Sequence, residues 1–236
     1  MPSRIGTLTE KSLHAALKQL YAQPGDLLES RLHGYFIDIL RPPLSAGDPP
    51  LCIEIQTKHL AAMKPKLAAL LDQHLVRVVH PIAQQRHILR IDRDGVIQNR
   101  RKSPKRGGVY HIFPELVSLT PFLAHPNLSI EIAFVHDEEV WIDDGQGSWR
   151  RKRWSIHDRR LLAVTGTHLL AARADYTALI PSNLPAEFDT GELARAIRQQ
   201  RTLAQKVAYC LREMGLIQVI GKRGRGLLYS AAQDRA

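Results

Sequence analysis

Two carboxylates set into apolar strand patterns constrain this chain more than any other feature of its sequence. Residues 27–41 (LLESRLHGYFIDILR) and 51–57 (LCIEIQT) alternate in period two and are rich in strand-forming residues. Asp38 falls between Ile37 and Ile39, and Glu54 between Ile53 and Ile55. Strand side chains alternate faces. Leu51, Ile53, Ile55 and Thr57 therefore share one face, and Cys52, Glu54, Gln56 and Lys58 the other. A carboxylate in such a segment is costly to bury unless it pairs with a cation or binds a metal. The intervening RPPLSAGDPP is a Pro/Gly loop of the kind that joins hairpin strands. A hairpin of 35–41 with 51–57 sets Asp38 beside Glu54, and two converging carboxylates make a hard-cation site suited to Mg²⁺ or Mn²⁺.

The flanking segments supply an α/β framework. Thr7-x-x-Glu10 reads as a capping box, and Leu13, Ala16, Leu17 and Leu20 follow at helical spacing until Gln23-Pro24-Gly25-Asp26 stops the helix. Residues 58–74 carry Leu60, Met63, Leu67, Leu70, Leu71 and His74 on one helical stripe, with Pro65 tolerable near the first turn. Residues 75–83 and 87–92 read as two strands, 112–119 as a helix, and 128–143 as a hairpin. The order helix, hairpin, strand, helix, strand implies a mixed sheet flanked by helices.

At this point the residues resemble a known core. Asp38, a gap, then Glu54-Ile-Gln56, on strand–loop–strand followed by a helix, resembles the PD-(D/E)xK restriction-endonuclease-like nuclease superfamily over about residues 5–95. IGTLTEKSLHAALK, IEIQT, RRKSPKRG and SWRRKRW together are similar to an uncharacterised bacterial family of nuclease-like proteins. The resemblance implies that Asp38 and Glu54 hold one or two Mg²⁺ ions, and that Glu10 completes the site from the first helix. The residue two places after the Glu orients or activates the attacking water. Here that residue is Gln56 where the motif prefers Lys, and Ile37 stands where it has Pro. Gln positions a water but carries no charge, which Lys58 can supply from the same face. Glu10 reads equally as a capping acid, and Lys58 as a solvated lysine. The implied chemistry is metal-assisted phosphodiester hydrolysis. Restriction-like cores often act as dimers, which leaves a homodimer open.

Charge points to a polyanionic partner. The chain of 236 residues carries 33 Lys+Arg against 23 Asp+Glu, a net charge of +10. The surplus lies downstream: Arg100, Arg101, Lys102, Lys105 and Arg106 occur without an acid across 98–110. Arg150, Arg151, Lys152 and Arg153 stand between Trp149 and Trp154, two aromatics able either to stack on bases or to anchor a core.

A Pro/Asn-rich linker at 181–189 divides a domain of residues 1–180 from a smaller one of 181–236. In the second, TGELARAIR and TLAQKVAYCLREMG read as two helices and LIQVIGKRGRGLLYS as a hairpin, the pattern of a winged helix-turn-helix. Leu203, Val207, Cys210, Leu211 and Met214 form the buried stripe; Gln205, Lys206, Tyr209 and Arg212 face out, and Lys222, Arg223 and Arg225 sit at the wing tip. Such a module binds DNA, or alternatively another protein.

The eleven histidines lack metal-type spacing, the two cysteines make no disulfide framework, and no Gly-x-Ser-x-Gly elbow or P-loop occurs. No apolar run reaches the ~20 residues of a membrane span, and the N-terminus lacks a signal-peptide core. The expectation is a cytoplasmic, Mg²⁺- or Mn²⁺-dependent nuclease acting on DNA without membrane partners. The alternative is a non-catalytic DNA-binding regulator on the same scaffold.

Overall fold

The computed structural model describes residues 12–43, 45, 47–149 and 154–232. Helix α1 (Ser12–Tyr21) precedes a meander of β1 (Leu27–Leu32), β2 (Tyr35–Arg41) and β3 (Leu51–Ile55). After a 3-10 turn over Leu60–Met63 come α2 (Lys64–Leu70), the long strand β4 (Leu75–Ile91) and β5 (Ile97–Lys102). Then follow α3 (Phe113–Leu116), β6 (Leu128–Ile142), β7 (Ser155–Leu170) and α4 (Arg173–Thr177). Strand β8 (Glu187–Asp189), helices α5 (Thr190–Ala196) and α6 (Arg201–Glu213), and strands β9 (Ile217–Arg223) and β10 (Gly226–Ala231) complete the order.

Among the described residues, seven strands form one mixed sheet in the order β1-β2-β3-β4-β6-β7, with β5 paired to the outer half of β4. β1–β2 and β2–β3 run antiparallel; β3–β4 and β4–β6 run parallel, and β6–β7 is antiparallel again. This is the mixed sheet flanked by helices that the element order implied. Strand β3 is central and covered on both faces, so Cys52, Ile53, Glu54 and Ile55 are all buried rather than split into an apolar and a polar face. On one side Leu13 and Leu17 of α1 pack on Ile39, Ile53 and Ile55. Burying one such leucine contributes about 1.5–3 kcal/mol. On the other side Leu67 and Leu70 of α2 join Cys52, Val76, Val78 and the α3 region.

Several elements differ from their sequence pattern. Residues 75–91 form one strand, not two, because β6 pairs along its whole length and Gln84 is absorbed where the register shifts between Ala83 and Gln85. Residues 128–142 likewise form one strand rather than a hairpin; the stretch contains no turn chemistry. The expected helix at 112–119 is reduced to the four residues of α3 between 3-10 turns. The first part of the basic run at 98–110 lies in strand β5 (Ile97–Lys102).

Pro81 lies within β4 at the level where β3 ends. Gln56 N–H donates to Val79 O at 2.9 Å, and the next rung of a parallel ladder needs an N–H from residue 81. Proline has none, and His80 Nδ1 donates to Gln56 O at 2.7 Å instead. β3 therefore stops, and the chain turns out at Gln56–His59.

Strands β8, β10 and β9 form a separate three-stranded antiparallel sheet beside α5 and α6. Asp189 caps α5 by accepting from Gly191 and Glu192 N–H, while Glu192 bonds back to Asp189 N–H at 2.9 Å. Val207, Cys210 and Leu211 of α6 belong to the same continuous core as Phe113 and Leu116 of α3. Among the described residues no helix is long and apolar enough to cross a membrane.

Candidate functional site

Asp38 and Glu54 meet where β2 and β3 part. The last described rungs of that pair are Ile39–Ile53, Leu40–Cys52 and Arg41–Leu51. At Asp38 the alternation of β2 breaks: Ile37 joins the α2-side core and Ile39 the α1-side core. On the other flank β1 is irregular at the same level, where Glu29 has φ 51°. The Asp38 carboxylate takes over the missing rung, its Oδ2 accepting from Ile55 N–H at 2.8 Å and from His14 Nε2 at 3.2 Å.

Glu54 is 5% exposed. Its Oε2 accepts from Lys66 Nζ at 2.7 Å, and the same ammonium donates to Phe36 O at 2.7 Å, tying α2 to both strands. Glu54 Oε1 is buried without a hydrogen-bond partner among the described residues. Burial, aided by the neighbouring Asp38 charge and opposed by Lys66, pushes the Glu54 carboxyl up to about 7. Burial also acts to raise Asp38, but the hydrogen bonds from His14 and Ile55, with Lys66 close by, hold it below the ordinary carboxylate value.

These two carboxylates fit a hard divalent cation in donor chemistry. Both offer oxygen, they lie on adjacent strands, and one oxygen of Glu54 has no hydrogen-bond partner among the described residues. They are a pair: among the described residues no group of three or more His, Cys, Asp or Glu is arranged to hold a metal ion. Glu10 lies outside the described residues, as do Arg150, Arg151, Lys152 and Arg153.

Gln56 is not brought to the pair. Its Nε2 donates to Lys58 O at 2.6 Å, so the amide closes its own turn. Lys58 is exposed at the mouth of a neighbouring cleft. The cation nearest Glu54 is Lys66, which sequence reading passed over. It lies three residues after Met63 and four before Leu70, at the edge of the buried stripe, where a lysine needs an acidic partner. His14, three residues before Leu17, carries the same signal.

The basic residues divide into those held and those presented. Arg100 Nε donates to Glu138 at 2.7 Å and Lys102 Nζ to Gln85 at 2.6 Å, which pins β5 to its neighbours. Arg101, Lys105 and Arg106 are exposed. Trp149 is 81% exposed and is no core anchor, whereas Trp154 is partly buried with the Arg90 guanidinium 5.2 Å from its ring centroid. On α6, Gln205, Lys206 and Tyr209 face solvent, and Arg212 lies 5.2 Å from the Tyr209 ring. Lys222 and Arg225 are exposed at the β9–β10 turn, and Arg223 pairs with Glu192 at 2.9 Å.

Both cysteines are buried, which pushes the Cys52 thiol up to about 11 and the Cys210 thiol up to about 12; they are packing groups. No solved structure matches the chain. A protein of Treponema pallidum (strain Nichols), described as an uncharacterized protein, is 32% identical over 228 residues, covering 95% of this chain and 86% of that one. A family model described as Domain of unknown function (DUF8091) matches residues 11–171. The chain belongs to this DUF8091 family.

Proposed function

We propose that the protein is a metal-dependent nuclease that hydrolyses phosphodiester bonds of DNA, with its C-terminal unit acting as a DNA-binding winged helix. The observation that carries the reading is the pairing of part-buried Asp38 with buried Glu54 on adjacent strands, with Lys66 2.7 Å from Glu54 and one Glu54 oxygen without a hydrogen-bond partner among the described residues. The order α1-β1-β2-β3-α2-β4, with two antiparallel steps and then a parallel one, supports the restriction-endonuclease-like core.

Asp38 and Glu54 would hold Mg²⁺ or Mn²⁺. Such an ion would supply polarisation of the scissile phosphate and a lowered pKa for the attacking water. The chain's own residues do the rest. The Ile55 N–H and His14 fix the Asp38 carboxylate. Lys66 stands in for the ammonium that Gln56 lacks and neutralises charge developing on the phosphoryl oxygens. Gln56 holds the turn that ends β3.

The C-terminal reading rests on the β8-α5-α6-β9-β10 order and on the solvent-facing Gln205, Lys206 and Tyr209. One observation favours the second reading, a non-catalytic DNA-binding regulator: the Gln56 amide nitrogen is engaged by the Lys58 carbonyl of its own turn. Titrating Mn²⁺ into wild type and Asp38→Ala separates the two. Saturable binding that Asp38→Ala abolishes supports the nuclease; equal weak binding in both removes the metal site and leaves the regulator.

A further inference from the structure

Beyond the end of β3, three adjacent strands carry a charged network on one face. Arg86 of β4 is the register partner of Asp137 on β6, and Glu139 of β6 that of Arg159 on β7. Asp137 is 0% exposed and accepts from Arg86 Nε and Nη2 at 2.8 Å each, and from Arg159 Nε. Glu139 accepts from Arg86 Nη1 on one oxygen and from Trp141 Nε1 at 3.0 Å on the other. Both guanidiniums are therefore gripped from behind. Arg159 Nη1 and Nη2 have no hydrogen-bond partner among the described residues. A carboxylate buried under two arginines carries a desolvation cost that an apolar trio avoids, so the network needs a reason beyond packing.

A wall faces it. The loop after β5 is fastened to β4 by Ser103 N–H on Arg86 O at 2.8 Å and by Gly107 N–H on Ala83 O at 2.7 Å. A Cβ on Gly107 would stand 2.3 Å from Ile82 Cγ2 and 2.8 Å from Ala83 O, so this close approach requires glycine. Between loop and strands lies a cleft of about 270 Å³, lined by Lys58, His80, Arg86, Lys105, His111 and Arg159. Glu115 also borders it, with Oε2 engaged by Leu60 N–H at 2.9 Å. The volume falls below the ~300–1,000 Å³ of drug-sized ligand sites and suits a small anionic group.

We propose that this cleft binds a phosphate group of a nucleic-acid strand, with Arg159 and Lys105 as its contacts and Asp137 as the group that positions the arginines. A planar guanidinium with both terminal nitrogens available matches two phosphate oxygens, and an ammonium adds a point charge. Asp38, Glu54 and Lys66 do not line the cleft, but Thr57 and Lys58 do, three and four residues past Glu54. The turn that leaves β3 after Glu54 therefore reaches the cleft. The assignment to nucleic acid rests on the nuclease reading; the phosphate chemistry rests on the cleft's own residues.

The test measures affinity without divalent metal for inorganic phosphate and for a short labelled single strand with a 5′-phosphate, a 3′-phosphate or neither. Wild type, Arg159→Gln and Lys105→Ala are compared, the last an exposed position where loss of fold is not at issue. Lys105→Ala is expected to weaken phosphate binding about tenfold, the loss of one charge-assisted contact, and Arg159→Gln by more than that, since it removes two. A loss confined to the end-phosphorylated strand assigns the cleft to a terminal phosphate; an equal loss on every strand assigns it to an internal one. Variant-sensitive binding of inorganic phosphate, with no strand bound by wild type, keeps the phosphate cleft and overturns the nucleic-acid assignment. Unchanged affinity for every probe in both variants, at unchanged thermal melting, overturns the proposal.

Discussion

Glu54 is the residue whose chemistry bears most on the rest of the account. Its carboxyl is raised to about 7 by burial, above the ordinary carboxylate value. The neutral form is therefore the one the fold favours. The stability this contributes is fully present below the ordinary value and is lost as pH rises through about 7. In the presence of a chelator, the melting temperature of wild type should fall between pH 6 and 8 relative to that of Glu54→Gln, followed by calorimetry at matched ionic strength. Parallel pH profiles of the two proteins would show that Glu54 is not the titrating group. Lys66 acts on the same carboxylate from α2. Lys66→Met should lower the cleavage rate by ~10²–10³ through loss of a preorganised cation, whereas Gln56→Ala should cost far less, since its amide serves the turn. The reverse ranking in single-turnover kinetics would return the catalytic role to position 56.

At the scale of elements, the proposed DNA contact would fall on α6 and the β9–β10 turn. Lys206→Ala should reduce the slope of log affinity against log salt by about 1 without changing the fold. Replacing Lys222 and Arg223 together by alanine should weaken DNA binding further; the lost Arg223–Glu192 pair is a surface contact worth ~0–1 kcal/mol and does not threaten folding. Unchanged DNA affinity in that double variant would assign the hairpin to a protein partner. The early strands, the mixed directions of the sheet and the stripe of α6 were legible in the sequence, because period-two and 3.6-residue patterns survive in short amphipathic elements. The long strands were not. β4 and β6 are paired on both sides, and neighbouring strands carry the ladder through the polar Gln84-Gln85 and His136-Asp137 that interrupt the apolar pattern. The carboxylate pair was legible for the same reason it is unusual: an acid in an apolar strand stands out. Lys66 and the Arg86–Asp137–Arg159 network were not, because cross-strand and helix-to-strand partners depend on register. The basic run at 100–106 showed only its charge; the structure separates Arg100 and Lys102, which are held, from Lys105, which lines a cleft.

For the whole molecule, the net charge of +10 is not spread evenly. One continuous core joins the large sheet, α3 and α6, so the carboxylate pair and the outer face of α6 belong to one packed body. Gly107→Ala tests how the basic loop is built into that body. A Cβ 2.3 Å from Ile82 should displace the loop and cost ~1–3 kcal/mol, with a matching fall in DNA affinity. Wild-type stability in that variant would mean that the loop yields freely. The central claim is that the Asp38–Glu54 pair performs metal-dependent hydrolysis, and cleavage tests it most directly. Wild type and Glu54→Gln would be incubated with supercoiled, linear and branched DNA in Mg²⁺ and in Mn²⁺. Cleavage of at least one substrate by wild type, absent in Glu54→Gln and in chelator, is the predicted result; tight binding with no cleavage in either metal would contradict it.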